Sequence, residues 1–586
     1  MLLKNFVDYD ILVTGDVMNL ILFFKRIFAA VLAAVFGIGV ELPIVIADIP
    51  NAVYVDGIYG SDSASGEKDN PVKTIGKAMT LVNDGKNEIY IIQGTFNETV
   101  NADVDGLTIE AAENSHVTIT GGEKISGEWE RYKGQIYRKH IEGDVKSVFV
   151  GNEQMLLARW PNTSWKNLCY MKRAETDEGT DSLHLVDKKL PKIDMTGALL
   201  TIWAGSGWVT FSRVITSCEK GKSLSWEQPI RSAVDDNPEG MDCYVPQKKN
   251  EYYVSGTLNL LDAEGEWYYD RNESMLYLYA PCGKNPEKCD VSVKVRDYGL
   301  KIGSVKNVTV KNIDVFGCAV TCGGTDCVLD NVNLKCADFF VDANYFDLSK
   351  YYRVKISGTG NVWKNSEISD TWGDGVYVSG QNNTIENCYI HDVCYMGTNF
   401  GCVNEIGVGN TVKNCTLGDT GRYHVLHSGA KKTRIVGCEM YHSALLSYDC
   451  GSTYEWGTDG ESSEIAYNYI HDNREVGIYL DNNSSNFYVH DNVIKKNGIG
   501  ITLNSHNNDC LVENNYLIKN EINSSTYYYE KDGPSMAGTV IRGNTYTPAK
   551  WKLVEGENAP VFENNKEVKS ALGVKLPERE YGCDFI

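Results

Sequence analysis

EIAYNYIHD (464–472), YVHDNVIKK (488–496) and LVENNYLIK (511–519) are three copies of one phrase: an apolar residue, two variable residues, a small or amide residue, one variable residue and another apolar one. The same phrase runs upstream as VWKNSEISD (362–370), TIENCYIHD (384–392), TVKNCTLGD (411–419) and RIVGCEMYH (434–442), and downstream as TVIRGNTY (539–546). Laid on one another, the copies give a column Ser366, Cys388, Cys415, Cys438, Asn468, Asn492, Asn515, with Asn544 one place later in its phrase, and successive members lie 22 to 30 residues apart. Period-two alternation without helical spacing, repeated at this length, is what stacked strand coils require. A leucine-rich repeat would need Leu at fixed short spacings, and those places hold Val, Ile, Tyr and Cys. The expected fold is therefore all-β, a right-handed parallel β-helix whose rungs lie about 4.8 Å apart. The Asn column reads as a structural ladder and the Cys column as small buried hydrophobes.

Outward from the repeats the chain changes character. Residues 48–122 hold a strand, then Ile75, Ala78, Met79 and Val82 at helix spacing just after Pro71, then another strand; this reads as an N-terminal cap and the first coils. Residues 123–292 alternate strand and turn with many aromatics, an inserted antiparallel β domain. Residues 293–546 form the main β-helix and 547–586 a C-terminal cap that hides its apolar end. At the front, Lys25 and Arg26 precede the apolar run from Ile27 to Val40, followed by Pro43 and Ala47. Residues 1–47 read as a secretory signal, so the mature chain is expected outside the cytoplasm, secreted or at the cell surface and without a membrane span.

Composition fits an exported globular chain: 42% apolar and 23% charged residues, with 55 Gly against 14 Pro. A formal charge of −22 repels phosphate backbones, which argues against nucleic acid as a partner. Seventeen Cys invite a search for disulfides. Cys282 and Cys289 flank a short turn and could bridge; Cys318, Cys322, Cys327 and Cys336 are close enough to pair in some combination. No Cys or His spacing suits zinc, so neither a structural metal nor a cofactor is expected.

A second strand of each coil aligns through GVYVSG (375–380), HVLHSG (424–429), LLSYDC (445–450), GIYLDN (477–482) and GITLNS (500–505). One outward position then stacks Ser379, His427, Asp449, Asp481 and Asn504, with Asn404 or, after a slip of one, Glu405 on the intervening coil. Like charges on neighbouring strands repel, so Asp449 beside Asp481 asks for a reason. A carboxyl pair at rung spacing raises one pKa and leaves a proton donor next to a charged partner, the division of labour that glycoside hydrolysis needs, in the retaining geometry. The coil after Asp449 is longer than its neighbours and carries Tyr454, Glu455, Trp456 and Asp459; an aromatic plane there would grip a sugar ring. His427 and Tyr479 join Glu405, Glu455, Trp456 and Asp459 as candidate substrate contacts.

The opening YVDGIYGSDSASGEKDNPVKTIGKA, VKSVFVGNEQMLLARWPN (145–162), LNLLDAEGEWYYDRNESMLYLY (258–279) and the stretch 456–494 resemble bacterial right-handed β-helix glycoside hydrolases, the β-xylosidase, xylanase and α-fucosidase families with an inserted β domain. The resemblance implies an enzyme acting on a polysaccharide or its oligosaccharides, and a monomer is expected. It places the catalytic pair on the Asp of GIYLDN, Asp481, and an acidic residue of the preceding coil, Asp449. The competing readings are a β-helix polysaccharide lyase or epimerase, which would need cations to neutralise a uronate, and a non-catalytic carbohydrate-binding or adhesion protein.

Overall fold

The structure is a computed structural model describing residues 43–83, 85–231, 243–281, 283–341, 348–527, 536–553, 555–556, 558–571 and 574–586. Nearly all of the expected secretory signal lies outside them. The chain forms two compact units. In the first, Val45 bridges Glu113 in antiparallel fashion. The second holds everything discussed below, from Asp48 to Ala111 and from His116 onward.

Three parallel ladders run through this second unit. Two belong to one 24-stranded sheet and the third is a 12-stranded sheet with one strand per coil. The repeated phrase is the corner between the first two ladders. The residue before the inward one is left-handed in every coil, with φ near +55° at Asn365, Asn387, Asn414, Asp491 and Asn514 and +61° at Tyr467, and Gly437 and Gly543 take the same turn. Asn, Asp and Gly are the residues that best tolerate that backbone, which is why the phrase keeps them there in the coils other than that of Tyr467. The next residue then points inward. Asn492 Oδ1 accepts from Asn468 N at 3.0 Å and Nδ2 at 2.9 Å, and Asn515, Asn544 and Asn565 repeat the pattern. Farther up, Cys388, Cys415 and Cys438 fill the same column as buried free thiols. A second amide ladder, Asn473–Asn497–Asn520, runs parallel to it and the repeat phrase does not reveal it.

At the N-terminal end, the strand Ala52–Asp56, the short helix Ile75–Met79 and the strand Glu88–Phe96 precede the first coil, with Thr74 capping the helix by accepting from Lys77 N. The chain leaves the β-helix at Gly122–Lys124 and re-enters after Val291–Lys294, and these two strands pair antiparallel. Between them lie small, mainly antiparallel sheets with their own cores around Trp226, Tyr252 and Trp267. On re-entry Leu300–Ile302 stacks directly on Val100–Ala102, so the coil resumes where it was interrupted. Two expectations about cysteine part company. Cys289 is disulfide-bonded, with Cys282 outside the described residues, whereas Cys318, Cys322, Cys327 and Cys336 are buried free thiols that fill small core positions. No helix occurs among the described residues beyond 547. Lys550–Lys552, Val561–Glu563 and Lys566–Glu567 add further strands to the ladders instead.

Candidate active site

Register in the 12-stranded sheet decides which side chains meet. Tyr377, Asn404, Leu426, Tyr454, Tyr479 and Thr502 are successive partners on the outer face. Their neighbours Val378 and Glu405 pair, as do Glu455, Leu480 and Leu503, and these point into the core. His427, one residue past Leu426, falls in the same inward column. The expected stack Ser379, His427, Asp449, Asp481, Asn504 is therefore not a column. The strand of the Asp449 coil is Gly451–Glu455, and LLSYDC is the corner before it. Adjacent-rung spacing thus sets no separation for the two aspartates.

Asp449 and Asp481 nevertheless converge on one outer surface through tyrosines. Tyr479 donates its hydroxyl to Asp449 Oδ1 at 3.2 Å, and Tyr454 donates to Asp481 Oδ2 at 2.6 Å. The two rings meet edge to face at 5.3 Å. Asp481, 6% exposed, also accepts from Asn504 Nδ2 and from the backbone N of Asn482, both at 2.8 Å. Burial and then the charge of Asp481 hold the Asp449 carboxyl above the usual aspartate range, against the pull of Arg422 and the Tyr479 hydroxyl.

The inserted sheets fix the Asp449 corner in place. Arg173 donates to Leu446 O at 2.6 Å, and Tyr448 N donates to Gly207 O at 3.3 Å. Gly207 is left-handed, and a Cβ there would stand 2.9 Å from the Tyr448 ring, so glycine permits this approach.

The other candidates separate. Trp456 is 57% exposed, held through its backbone, with N donating to Ser428 Oγ and O accepting from Thr458 Oγ1, and follows Glu455, whose carbonyl accepts from Asp481 N. It is the open aromatic plane beside the pair. Asp459 lies away from it, bonded to Asn486 Nδ2 at 2.8 Å in the other sheet. Glu405, His427 and Glu455 are buried inside the coil and cannot touch a substrate on the outer face. Their column has the inward parity of Val378 and Leu480, one residue off the alignment that placed His427 outside. His427 Nε2 stands 3.0 Å from Glu455 Oε2 without hydrogen-bond geometry. Burial pushes the imidazole down to about 4, with Glu405 opposing. Burial and then Asp481 push the Glu455 carboxyl well up, so this stack is held mainly neutral rather than as ion pairs.

Register also gives Tyr454 and Asn504 their roles and adds residues beyond the candidate set. Tyr454 and Asn504 hold Asp481. Arg422 is buried beside Asp449, its guanidinium 4.7 Å over the Tyr423 ring, and its Nε and Nη1 have no hydrogen-bond partner among the described residues. Asp374, farther along the same sheet, accepts from Gly401 N and Asn404 Nδ2, and burial holds its carboxyl well above the usual range. The aromatic content of the longer coil was the sequence signal for Tyr454. Nothing short of register could have found Arg422 or Asp374.

Comparison with known proteins agrees with this architecture. A model of the right-handed beta helix region matches residues 352–517 and 447–546. A solved structure described as a glycoside hydrolase superposes with a TM-score of 0.62 at 14% identity, covering 79% of this chain and 96% of its own. A lacto-N-biosidase from Eubacterium ramulus gives 0.36 at 10% identity, over 94% and 72%, and a periplasmic alginate epimerase, AlgG, gives 0.31 at 10%, over 46% and 76%. No curated protein matches the sequence. The class is a right-handed parallel β-helix carrying an inserted set of small β-sheets.

Proposed function

We propose that this chain is an exported glycoside hydrolase in which Asp449 protonates the leaving oxygen and Asp481 attacks the sugar or activates water. The observation that carries the reading is the asymmetry of the pair. Burial and a charged neighbour favour the protonated form of Asp449. Asp481 accepts three hydrogen bonds, the pattern of a carboxylate. A carboxyl whose protonated form is favoured, beside a partner fixed by hydrogen bonds, supplies a donor and a base at one site. Trp456 offers the adjacent ring platform. No cofactor enters the scheme.

The test is release of reducing ends from neutral oligosaccharides. Asp449→Asn and Asp481→Asn are each expected to lose about 10³-fold in kcat with little change in Tm; full activity in either variant overturns the assignment. The anomer formed first, read by NMR, distinguishes attack by Asp481 (retention) from base catalysis (inversion). A second reading has one observation in its favour: Arg422, whose Nε and Nη1 have no hydrogen-bond partner among the described residues, could neutralise a uronate during β-elimination. Ultraviolet-absorbing unsaturated products from uronate polymers would assign the site to it. Export rests on Lys25, Arg26 and the apolar run after them, and N-terminal sequencing of protein recovered outside the cell should begin near Asp48.

A further inference from the structure

Among 586 residues of net charge −22, one opening gathers cations. Lys146, Lys294, Lys350, Arg353 and Arg271, the last paired with Asp144 at 3.0 Å, line a cavity of about 340 Å³ whose carboxylate among the described lining residues is Asp297. That carboxylate is already shared, with Lys146 Nζ and Arg353 Nη1 each 3.0 Å from it. Lys294 is 2% exposed and its ammonium donates to a neutral acceptor, Ala337 O, at 2.7 Å; no carboxylate among the described residues lies within ion-pair distance of it. Its counter-charges, Asp338 and Asp297, act from beyond contact, and a buried cation not in direct contact with a carboxylate is costly. Burial, and then the neighbouring Arg353, hold the Lys294 ammonium below the usual lysine range against the attraction of Asp338 and Asp297, and an anion entering from solution would add to that attraction. The wall beside it is aromatic, Phe340 stacked on Tyr351 at 4.0 Å and 15°. Cations against an aromatic face, in a volume of this size, suit a sugar ring bearing an acidic group.

We propose that this cavity is a subsite for an anionic sugar, one carrying a carboxylate or a sulfate. Its place in the fold ties it to the aspartate pair. Arg353 immediately precedes the strand Lys355–Ile356, and the register runs from there through Val376–Gln381, Gly401–Val408 and Tyr423–Leu426 to Gly451–Glu455, which follows Asp449. Four rungs separate them, about 19 Å at the usual spacing. Between them the outer face carries Tyr352 stacked flat on Tyr377 at 4.2 Å and 9°, a further platform for sugar rings. A glycan lying across the rungs would put an acidic unit in the cavity and a bond several units away at Asp449 and Asp481. The placement of the scissile bond rests on the glycosidase reading; the cavity itself does not.

The test uses the full chain and three probes by calorimetric titration: glucose, glucuronate and glucose 6-sulfate. Glucuronate, the sulfate ester, or both should bind wild type and Asp481→Asn equally, and the stronger of the two identifies the acidic group. Lys146→Gln and Arg353→Gln should each weaken that binding about tenfold, the loss of one charge-assisted contact. Rising salt should weaken it further, and glucose should not compete. Lys294→Met, checked for native circular dichroism, should abolish it. Glucose binding as strongly as the better-bound anion, anion binding unmoved by both exposed substitutions, or no binding of either anion overturns the subsite. Loss of hydrolysis in Asp481→Asn with anion binding retained leaves it standing, so the two readings fail separately.

Discussion

Two tyrosine hydroxyls do the positioning at the aspartate pair, each reaching from a neighbouring place in the coil to one carboxylate. Tyr454→Phe removes the 2.6 Å bond to Asp481 and nothing else of size. It should cost about tenfold in kcat, the worth of one hydrogen bond to a charged group, with KM and Tm little changed; an unaltered kcat would mean that Asp481 needs no such orientation. The charge of Asp481 raises Asp449, so removing that charge must lower it. In Asp481→Asn the pH titration of the Asp449 carboxyl, followed by its carbon chemical shift, should move toward the ordinary aspartate value. In the wild type the alkaline limb of kcat/KM should lie above that value, since the proton donor is lost there.

At the scale of the element, the repeat phrase carried almost all of the fold because a left-handed residue and a small inward side chain, amide or thiol, are local demands of every corner. Asn492→Ala deletes the bonds to Asn468, Asn515 and Ile465 O together and leaves buried partners unsatisfied. It should cost about 3 kcal/mol in chemical denaturation, against about 1 kcal/mol for Cys415→Ala in the same column. The site was less legible than the ladder. Its strand phrases are short, and a register error of one residue exchanges the faces. That error placed His427 outside, left Glu405 as the alternative to Asn404, and drew a corner, LLSYDC, into a strand, which made a loop of the strand that carries Glu455. The sequence nonetheless carried a warning: His and Glu recur where other coils hold Val378, Leu480 and Leu503. The inward stack has a consequence for pH. The Glu455 carboxyl titrates higher when folded than when unfolded, so between those two values the folded form holds more protons and the wild type loses stability as pH rises. His427, pushed down to about 4, acts in the opposite sense between about 4 and the unfolded histidine value near 6.5. Glu405 and Cys510 share the surroundings. Glu455→Gln removes only the first contribution, so its Tm relative to wild type should climb as pH is raised above about 4.5. A constant difference across pH 5 to 8 would show that Glu455 is charged in the core.

Across the whole molecule, the C-terminal segment turns back along the coils it has just completed. Arg579 donates to Asp491 O at 3.1 Å and Tyr581 packs on Tyr469. Gly582 N then reaches Gly437 O, Cys583 N reaches Thr416 Oγ1, and Asp584 N reaches Asn387 Oδ1, each within 3.1 Å. These partners sit on consecutive corners, so six residues of extended chain, rising about 3.4 Å each, staple five rungs about 4.8 Å apart. A solenoid has mainly nearest-neighbour contacts, and a strap that spans several rungs couples coils that otherwise communicate only in sequence. Only composition hinted at a cap here, because the segment lacks the repeat phrase and its partners lie 88 to 197 residues away. Deleting 575–586 should therefore lower Tm by roughly 2–5 °C, from a few exposed hydrogen bonds offset by the entropy of the freed tail. Amide exchange should quicken at the corners around Asn387, Asn414 and Gly437 and stay unchanged at the N-terminal coils near Ile109, which the strap never touches. Uniform acceleration along the chain, or none, would show that the segment only decorates the surface.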